Sequence, residues 1–387
     1  MQEQQKQYDY IIAGSGCSGL SLLYRLLQTR GLGEKRILVV DKSEKQENDR
    51  TWCFWEKESG PFESIVHHRW DTLSFLTSEY SRTFELSPYS YKMIQAIDFY
   101  RYVKDAAASL NNVDFLFGNI LGMSTELGKA VLTTDNGRFT ADYIFNSTGL
   151  FNPVMNESNS LLQHFEGWVI RTETDTFDSK VGTLMDFRIP QVDGATFMYV
   201  LPISSKEALV EYTLFSPALL DRTTYGAALK DYLEQYLQLS AYEVVHKEFG
   251  IIPMSLASFS RATGKGDKIV QLGTAGGFTK ASSGYTFQFI QKHTAAIVDR
   301  LLQGQSPLLP PNFSDKKYAW YDKTLLDVLL SGKMTGKKVF SSIFRKLPPA
   351  TIFRFLGNES SLVDDLRIMS SLPLLPFLTS GIRQLRK

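Results

Sequence analysis

The sequence predicts an α/β protein: a Rossmann-like dinucleotide-binding domain, an antiparallel β-sheet domain inserted into it, and a helical C-terminal region. Three observations predict this. YDYIIAGSGCSGLSLLYRLL (8–27) sets a buried apolar run against a G-x-G-x-x-G loop and a helical pattern. The stretch 168–215 is β-rich and long enough to form a sheet of its own. The order strand, glycine loop, helix then returns at KIVQLGTAGGFTKASSGYTFQFIQKHTAAIVDRLL (268–302), and beyond Pro307 the chain reads as helical to its end.

Taken in order, residues 8–13 read as a buried strand, and Leu20, Leu23, Leu26 and Leu27 recur at helical spacing. Between them Gly14 serves a tight turn, Gly16 lets the backbone approach a pyrophosphate, and Gly19 allows close helix-on-strand packing. A second strand, 36–40, ends at Asp41, about twenty residues on, where an acid reaches a ribose hydroxyl. An aromatic run, DRTWCFWE (49–56), precedes alternating residues at 73–86 that suggest strands, and a helix is predicted over 97–110. Residues 113–149 read as a β-meander with a hairpin turn at Asn136-Gly137 and a last strand, 143–146, that breaks at Ser147-Thr148-Gly149. A helix is expected over 225–239.

The glycine loop stands at the N-terminal end of the sequence, while its matching strand, loop and helix arrive only near residue 268. That split favours FAD over NAD and is similar to flavoprotein hydroxylases and their relatives. The expected division is 1–60, 97–150 and 258–305 for the FAD-binding domain, 61–96 and 151–257 for the β-rich substrate domain, and 306–387 for the helical region. Flavoprotein hydroxylases carry a Gly-Asp pair in the late loop, however, and here Gly273 is followed by Thr274.

Three stretches narrow the resemblance. DRTWCFWE, LMDFRIPQVDGATFMYVLPISSKEALVEYTLFS (184–216) and GTAGGFTKASSGYTF (273–287) resemble, in order and spacing, motifs of bacterial lycopene β-cyclases. The resemblance implies an enzyme that closes the acyclic ends of a carotenoid into β-ionone rings, lycopene giving γ-carotene and β-carotene. It would be an isomerase (intramolecular lyase) whose FAD must be reduced yet undergoes no net redox change, with NADPH or a flavin-reducing partner as candidate electron donor. It implies cofactor contacts at Gly14, Gly16, Gly19, Asp41, Gly149, Gly273, Gly276, Gly277 and Gly284. The alternatives are an FAD-dependent monooxygenase or prenyl-chain reductase, and a flavin-containing lipid carrier.

Protonating an alkene demands a neutral carboxylic acid, a dry pocket and something to stabilise a cation. Glu211 is the candidate acid: in LVEYTLF, Leu209 and Phe215 share its strand face, while Val210, Tyr212 and Leu214 take the other. Desolvation there would keep it protonated. A solvent-facing or salt-bridged Glu is the structural alternative. Asp186, the second candidate, shares a face with Leu184 and Arg188 by simple alternation, so an Asp–Arg pair is its alternative. Trp52, Phe54, Trp55 and Tyr285 are expected to line the pocket, where aromatic faces stabilise a passing cation; each is otherwise core.

Composition excludes several classes. A formal charge of +1 gives no basic excess for nucleic acid, and two cysteines, Cys17 and Cys53, make neither a disulfide framework nor a zinc site. The polar start MQEQQKQ has no signal-peptide pattern and no apolar run is long enough to span a bilayer, so the expected setting is cytoplasmic. KKVFSSIFRKLPPATIFRFLG (337–357) interleaves basic and phenylalanine side chains, which suggests peripheral membrane contact; helices packed on the substrate domain are the alternative.

Overall fold

The computed structural model describes residues 6–386; the first five residues of the polar N-terminal run lie outside them. The glycine loop belongs to a six-stranded sheet ordered Ala262–Thr263, Ile269–Gln271, Tyr143–Asn146, Tyr10–Ala13, Ile37–Asp41, Val113–Phe117. All neighbours are parallel except the first pair. Helices Cys17–Gln28, Ala96–Ala108 and Phe287–Leu302 cover one face, with Leu20, Leu23, Phe99 and Ile297 packed on Ile12 and Val39. The meander Ile120–Glu126, Lys129–Thr134, Gly137–Ala141 covers the other, with Leu132 and Phe139 against Ile11 and Leu38. Burial on both faces is why these strands read as unbroken apolar runs.

The second large sheet has seven strands: Glu243–Ser255, Ser160–Arg171, Glu207–Ser216, Ala195–Pro202, Val181–Asp186, Thr72–Leu76 and Ser81–Glu85. It is antiparallel save for one parallel pair, Val181–Asp186 with Thr72–Leu76. One face carries Trp168, Val210, Tyr212 and Leu214 beneath the helix Arg222–Asp231. The other carries Leu201, Leu209 and Phe215 and packs with Trp55, Tyr91 and Met93 and with the C-terminal helices. A three-stranded sheet, Thr51–Glu56, Ser90–Gln95 and His68–Trp70, joins the two regions, so the expected boundary at residue 60 falls between strands of one sheet.

The rest of the chain forms five helices among the described residues: Phe313–Leu330, Gly336–Lys346, Pro349–Leu356, Leu362–Ser371 and Leu374–Leu385. The basic and aromatic stretch 337–357 does not present its phenylalanines to solvent. Phe340, Phe344 and Phe353 are buried, Phe344 stacking on Phe75 at 4.5 Å. Lys337 pairs with Glu79, Arg345 lies over Tyr80 and Arg354 grips Asp364, while Lys338 stays exposed. The phenylalanines of this stretch thus pack inward.

Candidate functional site

The three early glycines differ in what surrounds them. Gly14 has φ +98° and a side chain there would strike the Ser147 hydroxyl; one on Gly19 would strike the Gly14 carbonyl oxygen. A Cβ on Gly16 meets nothing within 4 Å, because it would project into a cavity of about 420 Å³ that Gly16 itself lines. Gly16 caps the helix Cys17–Gln28 with no side-chain hydrogen bond and no acid in the first turn, leaving N–H groups for an anion. Lys45 and Arg50 line the same cavity, and the buried hydroxyls of Ser15 and Ser283 lack hydrogen-bond partners. These features fit a dinucleotide cofactor.

Asp41 accepts hydrogen bonds from the amides of Ser15 at 2.7 Å and Ser43 at 3.0 Å, so it braces the loop while keeping lone pairs for a ribose. Gly149 does not reach the cavity; Ser147 does. In the late loop Gly273, at φ +51°, lies against Ser18, and Gly284, at φ +72°, lies against the Gln163 amide and lines the cavity. Gly276 and Gly277 instead face a separate cavity of about 260 Å³ beside Arg261 and Asp322. The loop is pinned to the C-terminal helices by buried Lys280, which donates to Asp322 and Asn358, each at 2.8 Å.

The cavity continues from this cradle onto the seven-stranded sheet. There the register places Tyr199, Glu211, Gly167 and Glu248 in one row across four strands. Directly opposed residues share a face, so the three side chains of the row enter the cavity together. Leu201, Leu209, Phe165 and Ile252 surround them, making this end largely apolar. Glu211 is partly open to the cavity but enclosed by protein; burial, then the neighbouring Glu248, pushes its pKa up to about 8, against a hydrogen bond donated by Thr213 at 2.5 Å. Burial also raises Glu248, with hydrogen bonding from Thr51 and the charge of Arg50 pulling the other way.

Of the predicted aromatic lining, Trp52 and Tyr285 reach this cavity and Phe54 and Trp55 do not. Phe54 stacks on Phe287 at 4.2 Å, and Trp55 meets Tyr285 and Phe353 edge-on, behind the cavity wall. Their places are taken by Cys53, from the same strand, and by Tyr91, whose hydroxyl lies 3.3 Å from that of Tyr285. Glu248, Cys53, Tyr91 and Tyr199 were not legible as site residues, since each comes from a strand whose register only the folded sheet reveals.

Asp186 does not join Glu211. The ladder is irregular between Thr183 and Asp186, and this bulge turns the carboxylate to the opposite face. There it is fully buried, with Arg188 donating through Nε and Nη2 and the Tyr232 hydroxyl at 2.7 Å. The ion-pair alternative describes it.

The chain matches the family model described as lycopene cyclase protein over residues 9–381. Relatives include the lycopene beta-cyclases of Pantoea ananas, 24% identical over 97% of each chain, and Pseudescherichia vulneris, 22% identical over 95% of each. Among solved structures it is similar to a geranylgeranyl bacteriochlorophyll reductase-like protein of Thermoplasma acidophilum (TM-score 0.63, 11% identity, 99% of each chain). It is also similar to a probable FAD-dependent monooxygenase of Pseudomonas aeruginosa (TM-score 0.58, 14% identity, 91% of this chain and 99% of that one). The fold is that of FAD-dependent flavoproteins.

Proposed function

The chain belongs to the lycopene cyclase family, and on that premise we propose that it is an FAD-dependent isomerase converting the acyclic ends of lycopene into β-ionone rings. One observation carries the reading: Glu211 stands with a second acid and no cation beside it in a largely apolar cavity that is continuous with a dinucleotide cradle, where burial pushes its pKa up to about 8. An acid of that kind can protonate an isolated alkene. In water its ionised form would dominate.

The side chains divide the work. Glu211 delivers its proton to the terminal double bond, leaving a tertiary cation that the neighbouring double bond attacks. Tyr91, Tyr199, Tyr285 and Trp52 wall the cavity and present aromatic faces to that cation, worth up to about 2 kcal/mol where water is excluded. Gly16, Lys45, Arg50 and the first turn of Cys17–Gln28 would hold the cofactor pyrophosphate, with the late loop at Gly284 beside the ring system. Bound there in reduced form, FAD would supply a fixed negative charge next to the developing cation without net electron transfer. The electron donor, NADPH or a reducing partner, would meet the flavin from outside. In this reading the parts of the chain assigned above to FAD, substrate and helical region keep those roles.

The substrate is a long apolar polyene dissolved in a bilayer, so the enzyme must meet a lipid surface. No helix among the described residues is long and apolar enough to cross a membrane. The surface that fits is on the last two helices. Leu362, Leu366 and Met369, then Leu374, Leu378, Ile382 and Leu385, are exposed at helical spacing. Arg367, Arg383 and Arg386 flank them, while the only acids of this stretch, Asp364 and Asp365, are buried. An apolar stripe with cationic borders suits an anionic lipid surface.

The deciding experiment runs anaerobic enzyme with chemically reduced FAD on lycopene in heavy water. Products of unchanged carbon, oxygen and total hydrogen-plus-deuterium count, with ring deuterium from solvent and many turnovers per flavin, are expected. Oxidised enzyme should be inactive. Consumption of one reductant per product would replace this reading with the monooxygenase or reductase.

A further inference from the structure

Cyclisation consumes one proton and releases another, and the acid alone accounts for only half of that exchange. Glu248 stands where the other half is needed. It shares a sheet row with Glu211, separated by one strand whose residue at that position is Gly167. Two strand spacings put the two α-carbons about 9.5 Å apart. The residue between them on the row carries no side chain of its own. A Cβ on Gly167 would press the Glu248 side chain and the Leu209 Cδ1 methyl, each at 3.1 Å, so these two share the space the glycine leaves over the middle strand.

Glu248 is also underused by the protein. It is 8% exposed, lines the cavity, and its Oε2 has no hydrogen-bond partner. A buried carboxylate oxygen without a partner is costly unless something else meets it. Its charged and titratable neighbours are Glu211 on the row, His246 two positions earlier on its own strand, Asp49 and Arg50 at the cradle end, and Cys53 across the cavity. Arg50 and Thr51 favour its ionised form, whereas Glu211 has only Thr213. When one of the two carboxyls ionises, the mutual repulsion keeps the other protonated, which divides them into a base and an acid.

Resting on the cyclase reading, we propose that Glu248 is the base of the reaction, accepting the ring proton that is lost after Glu211 has delivered its own. The steps balance. The Glu211 O–H bond breaks, and the π pair of the terminal double bond takes the proton onto its CH carbon, leaving the cation on the dimethyl carbon. The neighbouring π pair forms the ring carbon–carbon bond. A ring C–H bond then breaks, its electrons become the ring double bond, and the proton bonds to a Glu248 oxygen. Glu248 then gives its proton to solvent and the Glu211 carboxylate takes one from solvent, which restores both groups with no net proton change. The carbon that gains a proton and the carbon that loses one are both bonded to the ring's quaternary carbon, so a single ring seated in the cavity that both carboxyls line can meet the two of them.

The test uses the full-length, FAD-loaded, reduced enzyme and a pH profile of kcat. The wild type should show an ascending limb from Glu248 and a descending limb from Glu211. Glu248→Gln should lower kcat by about 100-fold, remove the ascending limb, and move the descending limb to lower pH because a neighbouring negative charge is gone. Glu248→Asp should keep both limbs at a reduced rate. A glutamine variant within about threefold of wild-type kcat, or one retaining the ascending limb, overturns the assignment. If that variant does not fold, absence of the ascending limb from both the wild type and Glu248→Asp overturns it, and its presence in both supports it. Failure of the wild type to form product of the substrate's mass in ordinary water, gaining ring deuterium in heavy water, would instead sink the cyclase reading itself.

Discussion

The two faces of the seven-stranded sheet each hold a carboxyl group that the sequence marks out, and the protein treats them in opposite ways. Asp186 is the more deeply buried, yet it is met by the Arg188 guanidinium and the Tyr232 hydroxyl. Glu211 is partly open to a cavity but has no cation beside it, only Thr213 and another acid. A carboxylate met by a guanidinium and a hydroxyl serves the fold, whereas burial without a counter-charge favours the neutral form. Burial alone does not set the two apart; the missing counter-charge does.

The comparison can be broken most completely at the cradle. Gly16→Val fills the space where a pyrophosphate would lie without touching any protein atom within 4 Å of its Cβ position. Flavin absorbance should be lost after reconstitution, while the circular dichroism of the apoprotein stays unchanged. A variant that takes up FAD normally would remove the cofactor assignment from this loop.

Next in size is Glu211→Gln, which keeps shape but not the proton. Product formation should fall by about 10²- to 10⁴-fold, with the melting temperature at pH 7 held or raised. Asp186→Asn should do the reverse. Breaking a buried ion pair costs about 3–5 kcal/mol, and because Arg188 is 35% exposed the lower figure is expected from urea unfolding. Its activity per folded molecule should stay within a few-fold of wild type. Unchanged stability with lost cyclisation in Asp186→Asn would erase the distinction between the two faces.

The pH dependence separates the faces more finely. The folded-state pKa of Glu211 is raised from 4.5 to about 8, so the folded protein holds a proton that the unfolded chain releases in that interval. Its contribution to stability is full below pH 4.5 and is lost as pH rises toward 8 and above. Thermal melts of wild type and Glu211→Gln should therefore diverge on going from pH 5 to pH 9, in favour of the glutamine variant. Parallel curves would place Glu211 in a more hydrated setting than the cavity suggests.

The smallest effect lies outside both faces. Leu374→Glu with Leu378→Glu should weaken co-sedimentation with anionic liposomes, whereas charge reversal at Lys337 and Arg345, which already have protein partners, should alter it little. Dimer loss by light scattering with unchanged liposome binding would assign the stripe to a second copy of the chain.

Much of this was legible before folding. Gly14, Gly16 and Gly19 specify a turn, an open approach and a close packing contact through local backbone geometry, and the structure shows those three environments. Strand alternation put Leu209, Glu211 and Phe215 on one face and Val210, Tyr212 and Leu214 on the other, as the sheet has them. The same rule failed at Asp186, where a bulge breaks the period of two, and it could not tell Phe54 and Trp55, packed behind the wall, from Cys53, which opens on the cavity.

What the sequence by itself determined was the cofactor cradle, the layered fold and the face on which the acid stands, because each follows from residues within a few positions of one another. What only the tertiary structure decided was company: that Glu248 joins Glu211 across Gly167, that Arg188 claims Asp186, and that the phenylalanines of 337–357 turn inward while the last two helices turn their leucines out. Strand order and register are set by contacts between distant segments, which local periodicity does not encode.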